Sequence, residues 1–161
     1  MEECNVSLKR IMAAVDLSSY SETTFAHAVT LARAMGGEVI LVNVVNSRGL
    51  EQIERLGAQG FGISKESYVE TIQKERQAEF EKGYLPKAGD VPCRILFRVG
   101  LPWEQIIRAI KKENADLLVM GTKGRSNLAG ALFGSTADKV FRHAHCPVVS
   151  VRGPEHCRLP G

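Results

Sequence analysis

The sequence predicts a single α/β domain with one open, five-stranded parallel sheet and helices on both faces. Strand-like and helix-like segments alternate along nearly the whole chain, which is the pattern of consecutive βαβ units. Several strand-like segments are apolar at consecutive positions, as expected of strands that are covered on both faces. The 161 residues are 44% hydrophobic and 24% charged, which suits one globular domain with a sizeable core.

The first βαβ unit opens the chain. The apolar run of residues 11–15 predicts a buried strand. A helix is predicted over 18–37, because apolar residues recur at helical spacing and two glycines follow them. Ser19 and Glu22 fit an S-x-x-E capping box at its start. Residues 38–46 are β-branched and apolar on both faces, so they predict a second strand parallel to the first.

The middle of the chain is less regular. Residues 47–63 contain three glycines and predict a mobile loop or lid rather than a long helix. A helix is predicted near 65–83, a turn over 87–92 and a third strand over 93–99. That strand alternates apolar and charged residues, so we expect it at an edge of the sheet with one face exposed.

The last part of the chain repeats the strand–helix pattern. A helix is predicted over 100–115, with Pro102 in its first turn, where the missing N–H would have no partner in any case. Residues 116–120 (DLLVM) predict the fourth strand. A helix over about 134–144 and a fifth strand over 146–152 complete the sheet.

A glycine-rich stretch, GTKGRSNLAGALFGST (121–136), joins the fourth strand to the last helix. Loops in this position usually have about 2–6 residues, so a longer one with four glycines predicts a close approach of its backbone to a ligand. Gly134, Ser135 and Thr136 fall where the helix begins, and a helix N-terminus suits phosphate. The stretch is neither a P-loop nor a dinucleotide fingerprint. The alternative is a plain βα loop with a Ser/Thr cap.

Asp16 is the polar residue at the end of the first strand. Ligands of open α/β sheets bind beyond the carboxyl ends of the strands, where the winding reverses. If the strand order is 3-2-1-4-5, the first and fourth strands are neighbours, and Asp16 faces the glycine stretch that starts at Gly121. A carboxylate there suits sugar hydroxyls, since it accepts two hydrogen bonds.

Composition argues against several classes of protein. A net charge of +3 is too small to indicate a nucleic-acid partner, and no run reaches the length of a membrane span. The cysteines form no C-x-x-C pair, and HAHC (143–146) lacks a distant second ligand pair, so we expect no metal site. Cys93 and Cys146 are interpreted as small buried hydrophobes. We expect a cytoplasmic protein with its core at 8–152 and a loose tail at 153–161.

The spacing of the glycines points to a known family. GTKG (121–124), nine further residues and then Gly134 and Ser135 fit the signature G-2x-G-9x-G-[S/T], and the chain resembles the universal stress protein family. The likeness extends over roughly 8–152. IMAAVDLSSYSETTFAHAVTLA resembles the opening strand, aspartate and helix of the family, and VGLPWEQIIRAIKKENADLLVMGT resembles its G-x-P-x-E-x-I segment and fourth strand.

The resemblance implies a Rossmann-like sheet of the adenine nucleotide alpha hydrolase type, with strand order 3-2-1-4-5. It also implies a homodimer through antiparallel pairing of the last strand (147–152). Family members with this glycine signature look like ATP binders, whereas members without it generally do not bind ATP. The implied ligand is therefore ATP, with or without Mg²⁺.

The binding positions of the family also map onto this sequence. Asp16 matches the aspartate that contacts the nucleoside, Ala14 a residue beside the adenine, and Val44 a residue whose backbone meets the adenine. The ribose and phosphate contacts match Gly121, Thr122, Gly124, Gly134, Ser135 and Thr136. Family members often have proline in place of Ala14 and histidine in place of Asn43. These differences affect the expected affinity more than the assignment.

The residues predict binding rather than catalysis. Hydrolysis of ATP needs a positioned water, an orienting residue and stabilisation of the phosphoryl group, and no such set is apparent. We expect a nucleotide-binding regulatory protein of the stress response, in which ATP biases a dimer or a partner-binding surface. Two alternatives stay open. One is a weak ATPase or phosphotransfer protein that uses Ser126, Ser135 or Thr136 near the phosphates, and the other is a nucleotide-free scaffold dimer.

Overall fold

The computed structural model describes residues 6–124 and 133–153. Within these ranges the chain forms a five-stranded sheet in the order β3-β2-β1-β4-β5, and every strand pairing is parallel. The strands are β1 Arg10–Ala14, β2 Glu38–Asn46, β3 Cys93–Gly100, β4 Leu117–Gly121 and β5 Val148–Val151. The predicted fold class and strand order are confirmed, as is the edge position of β3. Of the predicted loose tail, 153–161, only Gly153 is described, and it is buried, while 154–161 lie outside the described residues.

Helices cover both faces of this sheet. They are α1 Ser21–Met35, α2 Ser47–Leu56, α3 Lys65–Gly83, α4 Leu85–Ala88, α5 Pro102–Glu113 and α6 Ser135–His143. Phe25 of α1 and Phe80 of α3 belong to the core on one face, whereas Ile106 of α5 and Val140 of α6 belong to the core on the other. None of the described helices has both the length and the apolarity that a membrane span requires.

Helix α1 begins differently from the prediction. Its N-cap is Tyr20, without a side-chain capping bond, so the predicted capping box of Ser19 and Glu22 is wrong. The hydroxyl bonded at this turn is that of Ser18 rather than Ser19, since Ser18 Oγ accepts a hydrogen bond from the Tyr20 N–H at 3.3 Å, and Ser21 Oγ donates to Asp16 Oδ1 at 3.2 Å. The start of the helix is thereby tied to the carboxyl end of β1 as well as to its own backbone, where the Thr24 N–H donates to the Tyr20 carbonyl at 2.9 Å.

The prediction of a loop over 47–63 is also wrong. Helix α2 occupies the first part of this segment, and a π-helical turn over Gly57–Phe61 follows it. The Asn46 side chain caps α2 by accepting a hydrogen bond from the Arg48 N–H at 3.0 Å, and Leu50 is buried against the rest of the protein. The cap and this burial stabilise a helix that the glycine content argued against.

Strand β2 extends further towards the carboxyl edge than its neighbour β1. The pairing of β1 with β2 ends with Ala14 opposite Val42, and the Val15 N–H donates to the Val42 carbonyl at 3.0 Å. Alternate residues of a parallel strand present their N–H and C=O groups to the same neighbour. The N–H and C=O of Val44 therefore point towards the β1 side of the strand, at a position beyond the end of β1. This leaves an opening in the sheet plane beside Val44.

Candidate functional site

A cavity of about 380 Å³ lies at the carboxyl ends of β1, β2 and β4, where the winding of the sheet reverses. The structure brings all of the predicted binding residues to its wall: Ala14, Asp16, Val44, Gly121, Thr122, Gly124, Gly134, Ser135 and Thr136. These residues come from four separate segments of the chain. Their part in binding a ligand stays a prediction. Ser126, the remaining candidate near the phosphates, lies outside the described residues.

The N-terminus of α6 forms one side of the cavity. Gly134 is its N-cap, with no side-chain capping bond, and Ser135 and Thr136 of the first turn lie in the cavity wall. Thr122 fixes this end of the helix, since its carbonyl accepts a hydrogen bond from the Gly134 N–H at 2.8 Å and its own N–H donates to Val151 of β5 at 2.9 Å. The backbone N–H groups of the first turn and the helix dipole make this side suitable for an anion.

Asp16 lies beside this helix end. Its Oδ1 accepts hydrogen bonds from the Ser18 N–H at 3.0 Å and from Ser21 Oγ at 3.2 Å. Between them Leu17 has a φ of 61°, in the left-handed region that non-glycine residues rarely adopt. A Cβ on Gly124 would lie 2.5 Å from Asp16 Oδ2. Gly124 is therefore needed for the close approach of the two chain segments, whether or not a ligand is bound.

The wall on the α5/α6 face is apolar. Ala14, Val42, Val44 and Met120 reach it from the three strands, and Ile106 reaches it from α5. Apolar walls with a few polar groups are typical of small-molecule sites, and a flat apolar surface suits an aromatic ring. The cavity thus combines an anion-binding side, a carboxylate and an apolar side within one small volume.

The model of the universal stress protein family matches residues 7–152 of this chain. The chain belongs to the universal stress protein family. Universal stress protein MJ0531 of Methanocaldococcus jannaschii is 32% identical to it over 148 residues, which cover 91% of this chain and 84% of that protein. The predicted family is thereby confirmed.

Solved structures of universal stress proteins and their relatives share the fold. The structure of protein MJ0577 has a TM-score of 0.76 at 25% identity and covers 97% of this chain and 100% of its own. A universal stress protein in complex with cAMP has a TM-score of 0.61 at 21% identity, and the Archaeoglobus fulgidus protein in complex with dAMP has 0.60 at 20%. Each of these two covers 91% of this chain and 98% of its own.

Arg76 also lies in the cavity wall of this universal stress protein. The sequence did not indicate this residue. Arg76 Nη1 donates hydrogen bonds to Asn43 Oδ1 at 2.7 Å and to the Val44 carbonyl at 3.3 Å. The buried Asn43 in turn donates from Nδ2 to the Val15 carbonyl at 2.7 Å. Arg76 is one of many charged residues on α3, and no local sequence signal separates it from the exposed ones.

Thr24 is a second residue of the wall that the sequence did not single out. Its side chain is 1% exposed, and its hydroxyl has no hydrogen-bond partner among the described residues. A buried hydroxyl without a partner is destabilising, so Thr24→Val is expected to raise the free energy of unfolding by about 1 kcal/mol. Urea denaturation measures this difference.

Thr30 on the same helix provides the matched control for that change. It is exposed, and its Oγ1 donates to the Ala26 carbonyl at 2.8 Å. Thr30→Val removes a satisfied hydroxyl and is expected to give no gain in stability. A Thr24→Val variant that is less stable than the wild type would show that the hydroxyl has a partner in solution.

Two cysteines of the universal stress protein fall within the described residues. Burial raises the pKa of the Cys93 thiol to about 11, and burial also raises the pKa of Cys146. Both side chains therefore carry little thiolate at neutral pH. They are half-buried rather than buried, so the interpretation as small buried hydrophobes holds only in part. Among the described residues no group of three or more His, Cys, Asp or Glu side chains is placed to hold a metal ion.

Proposed function

We propose that this universal stress protein is a regulatory protein that binds an adenine nucleotide, ATP above all, in the cavity at the reversal of the sheet. The observation that carries the proposal is the convergence of the open α6 N-terminus, Asp16 and the apolar strand ends on one cavity of about 380 Å³. The proposed location is the cytoplasm, where ATP is abundant.

Each side of the cavity suits a different part of the nucleotide. The phosphates would lie at Gly134, Ser135 and Thr136, where the first-turn N–H groups that follow Gly134 and the helix dipole favour negative charge. The ribose would lie at Asp16, and the base would lie against the apolar side at Ala14 and Val44. Two structural relatives are complexes with cAMP and dAMP, which supports adenine as the base.

The same wall favours binding over hydrolysis. Asp16 is the only carboxylate among the described residues that line the cavity, and its Oδ1 is already engaged by Ser18 and Ser21. The described part of the wall therefore provides no general base to orient an attacking water. Mg²⁺ would bind chiefly through the phosphates, as it does in sites with few protein ligands.

Isothermal titration of the purified protein with ATP and AMP tests the proposal. We expect both to bind, with ATP tighter because its additional phosphates reach the α6 N-terminus. A dissociation constant of about 1 mM corresponds to a binding free energy of about −4 kcal/mol. If no binding is detected with about 1 mM nucleotide, the proposal is contradicted and the nucleotide-free scaffold is favoured. Phosphate release in a parallel turnover assay would favour the weak ATPase instead.

We further infer that the protein forms a homodimer through β5. This strand lies at an edge of the sheet, and exposed edges tend to pair with another chain. The carbonyls of Pro147 and Val151 accept hydrogen bonds from Leu118 of β4 and from Thr122 just after it, so the backbone groups of the odd-numbered residues face inwards. The N–H and C=O of Val148 and Ser150 consequently face outwards, where a second copy would pair.

Replacing Ser150 with proline is expected to convert the dimer to a monomer. Proline removes the outward N–H at this position and leaves the inward hydrogen bonds to β4 in place. Size-exclusion chromatography with light scattering measures the mass. Ser150→Ala keeps the N–H and is expected to stay dimeric. A Ser150→Pro protein that is folded and still dimeric would place the interface elsewhere.

A further inference from the structure

Arg76 approaches the end of β2 from one face of the sheet only. It belongs to α3, which packs on the same face as α1, and the Asn43 side chain that it contacts projects to that face. From there Nη1 reaches the Val44 carbonyl at 3.3 Å. The Val44 side chain projects to the opposite face, towards the core of α5 and α6. The carbonyl therefore lies between the guanidinium and the apolar side of the cavity.

A backbone carbonyl has two lone pairs. At Val44 one of them is taken by Arg76, while the other is directed to the opening that β1 leaves in the sheet plane. A planar base on the apolar side would meet this carbonyl with its edge, and the positive charge of Arg76 would stand directly behind the contact. The edge of the base thus meets an acceptor, the Val44 carbonyl, with the cationic Arg76 immediately beyond it in the cavity wall.

Purines differ in the group that they carry at this edge, so they would interact differently with the Val44 carbonyl and the Arg76 guanidinium. The 6-amino group of adenine is a donor, whereas the 6-oxo group of guanine or hypoxanthine is an acceptor, and arginine pairs with the latter. The Val44 carbonyl favours the amino group. The adjacent guanidinium opposes it, both by repelling a donor and by withdrawing electron density from the carbonyl.

We propose that Arg76 is a specificity-determining residue that weakens the preference of the cavity for adenine over 6-oxopurine nucleotides. The inference rests on the proposed function, since it assigns a role within the same nucleotide site. Arg76 is also a positioning residue, because it holds the buried Asn43, and Asn43 in turn bonds the end of β1 to β2. The specificity effect concerns the base alone, and the positioning effect would act on every nucleotide alike.

The ratio of the dissociation constants of ITP and ATP separates the two effects, because these nucleotides share the ribose and the triphosphate. Arg76→Met keeps the aliphatic stem and removes the guanidinium. We expect it to raise the ITP/ATP ratio by about threefold to tenfold, as for one hydrogen bond gained or lost. An unchanged ratio would overturn the inference.

Arg48→Met is the matched control. Arg48 lines the same cavity and carries the same charge, but its side chain donates to no carbonyl of β2 within the described residues. Its removal is expected to change both affinities alike and to leave the ratio within about twofold of the wild type. A ratio that shifts equally in both variants would mean that only the net charge of the cavity matters, and the role of Arg76 would be refuted.

Purine riboside triphosphate, which has no group at position 6, tests the inference on the wild type should Arg76→Met fail to fold. We expect it to bind within about threefold of ATP, because Arg76 offsets the gain from the amino group. Binding more than about tenfold weaker than ATP would overturn the inference and leave the proposed function intact. If the wild type binds none of these nucleotides, both the proposed function and the inference on Arg76 are refuted.

Discussion

Replacing Gly134 with valine is expected to weaken ATP binding by about 100-fold, because the change obstructs charge-assisted hydrogen bonds to phosphate. The free energy of unfolding is expected to change by about 1 kcal/mol or less, because valine is a poorer N-cap than glycine but is less flexible in the unfolded chain. The described part of the protein does not require glycine at this position. The backbone angles of Gly134, φ −70° and ψ 161°, are open to any residue. A Cβ would lie 3.6 Å from Lys123 Cα and 3.7 Å from the Thr122 carbonyl oxygen, which are ordinary contacts.

Among residues 6–124 and 133–153 nothing is obstructed by the added Cβ, so the expected obstruction is that of a ligand. Phosphate oxygens at a helix N-terminus approach the backbone N–H groups directly, and a branched side chain on the N-cap stands in their way. Gly124 does not allow the same test, because a Cβ there would meet Asp16 Oδ2 and disturb the empty site as well.

Isothermal titration and thermal unfolding of the same Gly134→Val sample measure both halves of this prediction. Gly83→Val serves as the control, since a Cβ on Gly83 meets no described atom outside its own helix within 4 Å and the residue lies at the end of α3, away from the cavity. Full ATP affinity in Gly134→Val would mean that the phosphates do not lie at the start of α6.

The elements that surround the site could be predicted because their signals are local. The apolar runs of β1, β2 and β4 can be satisfied only between two layers of helices, which determines the class of the sheet. The spacing of Gly124 and Gly134 then indicated two contact points of one site, and both residues do lie in the wall of one cavity. Glycine spacing carries this information since it marks where backbone must come close.

Other features depend on contacts between segments that are distant in the sequence. The glycines of 47–63 argued against a helix, but the Asn46 cap and the burial of Leu50 are tertiary effects that override propensity. Arg76 was missed for the same reason, because its partners Asn43 and Val44 lie on another element. A charged residue on a helix predicts a solvated face until the neighbouring strand is placed.

Asp16→Asn is expected to lower the affinity for ATP by about tenfold to 100-fold without unfolding the site. The asparagine Oδ1 can still accept the hydrogen bonds from the Ser18 N–H and Ser21 Oγ, so the turn through Leu17 is kept. Oδ2, on the side of Gly124, becomes an amide that donates instead of accepts. A ribose hydroxyl that donates to the carboxylate would then face a second donor.

Two effects of this substitution have opposite signs. Removing the negative charge reduces the repulsion of the phosphates, which in a solvated cavity is worth about 1 kcal/mol or less. Losing a hydrogen bond to an ionised acceptor costs about 1.5–3 kcal/mol, so the net effect is weaker binding. Asp16→Ala removes the acceptor and the turn contacts together and is expected to lower the melting temperature as well.

Deoxy analogues of ATP identify the contact itself. If Asp16 accepts a hydrogen bond from a ribose hydroxyl, removing that hydroxyl weakens binding to the wild type but not to Asp16→Asn, since both changes delete the same interaction. Titrations with 2′-deoxy and 3′-deoxy ATP on both proteins give this coupling. Equal losses in the two proteins for both analogues would show that Asp16 does not contact the sugar and serves only to hold the turn between β1 and α1.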